Sequence, residues 1–212
     1  DNRALLDEVE ELEHRARRRD IAPGDEAERI VETLERRGLK LQAIALTHAH
    51  LDHVGGVAAL KKLQPNAKIN LHKGDEFIYQ ALPEQPAWIG IPRAQWVALG
   101  LAFEQPPAVD HYWTDGEKYA VGNLEFDVLH CPGHTPGHVV FHHAESKLAI
   151  VGDVLFKGSI GRWDFPMGNH RQLIDSITIE PERPCRGQSV TVRVELAAQA
   201  QDAKVSIAGA AG

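Results

Sequence analysis

The 212-residue chain is 43% hydrophobic and 25% charged, the balance of an ordinary folded domain, and its length suits one full core rather than several. Its formal net charge of −7 excludes the broad positive field that gathers nucleic acid or anionic lipid. No apolar run approaches the ~18 residues of a membrane span and the opening residues are too charged for a signal peptide, so the expectation is a soluble, cytoplasmic protein with neither nucleic acid nor membrane as partner.

In chain order, residues 4–19 place Leu5, Val9, Leu12 and Ala16 at helical spacing among Glu and Arg, which predicts an amphipathic N-terminal helix within a segment 1–22. Pro23-Gly24-Asp25 turns into a second helix with Asp25 as its N-cap, Ile30, Val31 and Leu34 on one face, and Gly38 as its stop. Residues 41–46 form a short apolar strand, 54–63 a helix and 68–71 a further strand. The Pro-rich stretch 82–107, with Trp88 and Trp96, predicts a long loop. Strands follow at 124–129, 139–142 and 148–151, each running towards a polar segment. After Ser176 the character changes: 177–180, 189–195 and 204–207 alternate like strands, which marks 177–212 as a β-rich segment apart from a main α/β domain at 23–176. Cys131 and Cys185 are far apart and show no paired spacing, which fits a reducing compartment.

The chemistry concentrates in three places. Thr47-His48-Ala49-His50-Leu51-Asp52-His53-Val54-Gly55-Gly56 packs three imidazoles and a carboxylate into six successive positions at the end of a strand. Such donors suit Zn(II), Fe(II) or Mn(II), with His48 and His50 turned to one metal and Asp52 and His53 reaching a second, while the glycines allow close backbone approach. The second place is Cys131-Pro132-Gly133-His134-Thr135-Pro136-Gly137-His138, a rigid turn presenting His134, with His138 expected behind the ligands. The third is Gly152-Asp153-Val154-Leu155-Phe156, where a strand delivers one carboxylate able to bridge two cations. A lone His or a strand-end Asp is ordinarily structural; their co-occurrence with the first motif is what singles out His134 and Asp153.

In this order the residues resemble the metallo-β-lactamase fold superfamily. The stretches HCPGHTPGHVVF (130–141), GDVLFKG (152–158) and GRWDFP (161–166) are similar to its single-domain glyoxalase II-like hydrolases. The resemblance implies an αββα four-layer sandwich. It also implies a first metal on His48, His50 and His134, a second on Asp52 and His53, and Asp153 bridging them. The implied reaction is hydrolysis of an acyl thioester of the S-lactoylglutathione class, with one or two zinc ions, or iron or manganese. Asp52 orients the attacking water or takes its proton, and Lys157 and Arg162 are candidates for the glutathione carboxylate. A persulfide dioxygenase-like enzyme of the same superfamily, with one Fe(II) on His48, His134 and Asp153, is the alternative reading; a non-catalytic rearranged fragment is the third.

Both ends depart from that pattern. Relatives carry a further His in a Pro-Gly-His-Gly segment, whereas this sequence has no His beyond His170. They also reach an Asp-Pro-Gly turn where Ala22-Pro23-Gly24 stands here. The expectation is therefore a sandwich incomplete at its N-terminus, without the usual C-terminal segment, with altered ends as in a fusion, and without the supporting carboxylate of that turn.

Overall fold

The computed structural model describes residues 23–98, 102–180, 190–194 and 203–207. The predicted helix at 4–19 lies outside the described residues. Helix α1 (Pro23–Arg36) begins at Pro23, so Asp25 sits in its first turn rather than at its cap. Proline is well placed there, because its fixed φ suits a first turn whose N–H groups have no intrahelical acceptor. The chain leaves α1 through Gly38, in the left-handed region at φ 64°, and Leu39 N–H returns to the Leu34 carbonyl.

The first sheet is parallel and consists of β1 (Ala43–Ala45), β2 (Lys68–His72) and β3 (His111–Trp113), in that order. Parallel neighbours need crossovers, and two short helices supply the first: α2 (Leu51–Val54) and α3 (Val57–Leu63). The sequence predicts one helix over 54–63. The actual break falls at Gly55 and Gly56, where a Cβ on Gly55 would stand 2.5 Å from the Phe103 ring.

The second crossover corrects the predicted loop at 82–107. It holds α4 (Glu76–Gln80), a 3₁₀ turn at Leu82–Glu84, α5 (Gln85–Trp88) and α6 (Arg93–Ala98). Pro83 and Pro86 stand at first-turn positions, where proline starts a helical turn instead of breaking one. Leu82, Pro86 and Trp96 are buried, and the buried Gln85 side chain donates to the carbonyls of Ala49 and Ile78, both at 2.8 Å.

The second sheet is an antiparallel meander of β4 (Lys118–Val121), β5 (Leu124–His130), β6 (Val139–His143) and β7 (Leu148–Ile150). Its side chains sort by the period of two. Val139 and Phe141 of β6 join Phe126, Val128 and Trp113 in a core between the sheets. Val140 faces the other way, into a core with Leu129, Cys131, Val154 and Leu173. Leu173 lies on α7 (His170–Asp175), so β6 is covered on both faces and every residue in it is buried. A third core packs Leu46, Val54, Val57, Ile69, Leu71 and Ile78 between the first sheet and its helices. The result is the expected order of layers, helix, sheet, sheet and helix.

The hairpin β8 (Leu155–Phe156) and β9 (Ser159–Ile160) follows β7. The strands β10 (Thr178–Glu180), β11 (Val190–Val194) and β12 (Ala203–Ile207) form an antiparallel sheet in that order. Among the described residues, no helix is long and apolar enough to cross a membrane.

Candidate metal centre

The C-terminal end of β1 runs into the His-rich segment, and the turn after β5 carries His134 to the same place. His50 Nδ1 lies 2.8 Å from His134 Nε2, which lies 3.2 Å from His48 Nε2. All three residues are buried. Burial is the largest cause lowering their pKa values: His48 falls well below 6.5, His50 falls to about 3, and His134 is lowered as well. At neutral pH these are three uncharged imidazoles.

The tautomer of His134 follows from its other nitrogen. Nδ1 donates to the Arg162 carbonyl at 2.6 Å, which leaves the lone pair on Nε2, the atom facing the other two rings. Ligands about 2.0–2.1 Å from a tetrahedral cation stand about 3.3 Å apart, close to the separations here. In that tautomer His134 Nε2 offers its lone pair at the spacing a tetrahedral cation asks of its ligands, so the donor set fits a divalent metal.

A second group of donors consists of His48, His53 and Asp153. Asp153 reaches both groups: Oδ1 is 3.2 Å from His53 Nε2 and Oδ2 is 3.6 Å from His134 Nε2. Burial pushes its carboxyl up, but the hydrogen bond to His53 and the neighbouring His53, His134 and His138 outweigh this and hold it below the usual carboxylate value. Asp52 belongs to neither group. Its side chain is 69% exposed, with Oδ2 3.8 Å from His53 Nε2. Both residues lie on α2, where successive side chains diverge by about 100°, so turning His53 inward leaves Asp52 at the rim.

Behind the ligands, His138 stacks on His48 with centroids 4.7 Å apart. Its Nε2 accepts the Asp153 N–H at 3.0 Å, and its Nδ1 is buried without a partner among the described residues. The two basic candidates differ. Arg162 forms a two-pronged ion pair with Asp164, both contacts 2.8 Å, and its guanidinium covers the Phe165 ring, which meets His50 edge-on. Lys157 is exposed in the turn between β8 and β9.

Sequence reasoning missed Asp75, a supporting carboxylate at a place other than Ala22. This fully buried residue ends a 3₁₀ turn, Lys73–Asp75, just after β2. Oδ2 accepts from Ala49 N–H at 2.9 Å and from Thr135 Oγ1 at 2.7 Å, and Oδ1 accepts from Gly137 N–H at 2.5 Å. Burial pushes its carboxyl up to about 6 against the pull of those hydrogen bonds. Beside it, the His72 and His130 rings stack 4.1 Å apart.

His72 gives a test of acid stability. Burial first, then His130, lowers it from 6.5 to about 4, and its Nδ1 accepts the Gly74 N–H, a bond that protonation breaks. Unfolded His72 takes its proton first, so its contribution to stability declines as pH falls from 6.5 to about 4. His72→Asn keeps an acceptor without the titration. Urea midpoints of the variant should fall less steeply across that window than those of the native chain; parallel curves would contradict the assignment.

Residues 21–184 match the metallo-beta-lactamase superfamily over its family profile. The chain belongs to that superfamily. Within the metallo-beta-lactamase superfamily it is 41% identical, over 157 residues, to hydroxyacylglutathione hydrolase GloC of Haemophilus influenzae, a match spanning 74% of this chain and 70% of the relative. The solved structure of TTHA1623 in a di-iron-bound form superposes with a TM-score of 0.58 at 38% identity, covering 72% of this chain and 69% of that one. The B3 metallo-beta-lactamase BLEG-1 gives 0.54 at 32% identity, covering 72% and 68%.

Proposed function

We propose that this chain is a metal-dependent hydrolase of acyl thioesters, glyoxalase II-like, with a glutathione-derived small molecule as substrate. The convergence of three neutral imidazole nitrogens beside a bridging carboxylate carries the reading, and similarity to a hydroxyacylglutathione hydrolase supports the substrate class. His48, His50 and His134 would hold the first cation, with His53 and Asp153 the protein donors nearest a second, and Asp52 available from the rim. Bound zinc, iron or manganese supplies a Lewis acid and lowers the pKa of water to about 7. The chain's own groups do the rest. His134 is locked in its ligand tautomer by the Arg162 carbonyl, and Asp153 is kept ionised between His53 and His134. Asp52, open to water at the rim, receives or orients the proton of the attacking water. Arg162 is engaged by Asp164, so of the two basic candidates Lys157 is the one we assign to a glutathione carboxylate.

The test is metal content per chain measured on the same sample as S-lactoylglutathione hydrolysis, followed by release of the thiol. Turnover that disappears with chelation and returns with zinc or iron is the expected result. Full metal loading without turnover would end the hydrolase reading. Oxygen consumption with glutathione persulfide would then favour the dioxygenase-like alternative. Against that alternative stands His50, whose Nδ1 makes the shortest ring contact in the cluster and is not needed by a His48, His134 and Asp153 triad. We further propose 23–176 as the hydrolase domain and 177–212 as a separate β-rich unit.

A further inference from the structure

The two halves of the centre come from segments more than eighty residues apart, with His48 and His50 after β1 and His134 after β5. Their separation must be set by something other than chain connectivity. The peptide between His48 and His50 is held on both sides: Ala49 N–H is bound by Asp75, and the Ala49 carbonyl by the Gln85 amide. The same Asp75 carboxylate also holds Thr135 and Gly137, the neighbours of His134 on the other segment. The backbones meet there without room for a side chain. A Cβ on Gly137 would lie 2.4 Å from Asp75 N, and one on Gly74 would lie 3.0 Å from the Gly137 Cα. His130, stacked on His72, donates from Nε2 to the Pro136 carbonyl at 2.8 Å and closes the same junction.

From this geometry we infer that Asp75 and Gln85 are positioning residues that fix the distance between the two halves of the metal centre, and so set its affinity and ligand geometry. The role rests on the metal reading given above. Neither side chain touches a ligand ring; each acts through the backbone between or beside the ligands. Buried partners of this kind are worth on the order of 10–100-fold in metal affinity.

The experiment uses the full chain with Co(II) as probe, reading its visible absorption and its affinity in competition with a chelator. Asp75→Asn keeps one acceptor oxygen for Ala49 and Thr135 but sets an amide N–H against Gly137 N–H. Gln85→Leu keeps volume and removes the donors to Ala49 and Ile78. Both are expected to weaken Co(II) binding by roughly 10–100-fold and to shift the absorption bands. Phe126→Leu, in the core between the sheets, lowers stability without touching this junction and should leave bands and affinity unchanged. Lower melting temperatures with an unaltered spectrum and affinity in Asp75→Asn and Gln85→Leu would overturn the inference. If Asp75→Asn does not fold, Gln85→Leu and Thr135→Val decide the matter on the same readouts. Failure of the native chain to take up Co(II) would defeat the metal reading itself, a result distinct from native uptake that the variants leave unchanged.

Discussion

Replacing His134 by alanine is expected to strip the first cation and to reduce the proposed thioester hydrolysis by at least about 10³-fold. His134 Nε2 is the atom shared by the cluster, 2.8 Å from His50 and 3.2 Å from His48, and it also faces Asp153. Without it, the first group keeps only His48 and His50, too few for a catalytic zinc, which takes three protein ligands, while the second group of His48, His53 and Asp153 remains. The polarisation a bound cation supplies is worth several kcal/mol, and each 1.36 kcal/mol is a factor of ten in rate, which gives the magnitude stated. The fold should be affected far less: the variant loses one part-buried hydrogen bond, that to the Arg162 carbonyl, at a cost of about 1–3 kcal/mol. Metal analysis, hydrolysis rates and melting of the metal-free forms separate the two effects. Stoichiometric metal with native turnover in His134→Ala would remove this residue from the centre.

The parts of the centre legible in the sequence are those whose signal is local. His48, His50 and His53 declare themselves by spacing alone, and the apolar run Val139, Val140 and Phe141 marks the strand at 139–142. The composition of a ligand set, however, does not reveal which donors converge. Asp52 and His53 are adjacent in sequence, yet the start of α2 at Leu51 turns one outward and the other towards Asp153. Asp75 and Gln85 carry no local signal, because each is a single polar residue whose partners lie far along the chain. A weak hint exists at Asp75: it follows the strand Lys68–His72 within a short Lys-Gly-Asp turn, where a carboxylate must either reach solvent or find several donors. The segment 82–107 failed for a different reason. Its prolines read as breakers by composition, while burial of Leu82, Gln85, Pro86 and Trp96 organises the chain into short helical turns around them.

Gly133→Ala should destabilise the fold strongly beside the centre. Gly133 has φ at 136°, a conformation that L side chains rarely adopt, and its carbonyl accepts Asn169 N–H at 2.7 Å. A Cβ there would lie 2.2 Å from Leu173 N and 2.4 Å from its Cα, inside the backbone of α7 rather than against a side chain that could turn away. Backbone strain of about 1–3 kcal/mol and overpacking of about 1–3 kcal/mol act together, so a loss of about 3 kcal/mol or more is expected, a fall of roughly 10 °C in Tm for a chain of this size. The damage has a direction. Moving α7 off Gly133 opens the core of Leu129, Cys131, Val140 and Val154, while moving the Gly133 turn off α7 carries His134 away from His48 and His50. Co(II) uptake by the surviving folded fraction tells these apart: native affinity means α7 yielded, and weakened affinity means the turn did. A melting temperature equal to that of the native chain would mean that α7 does not rest on Gly133 in solution.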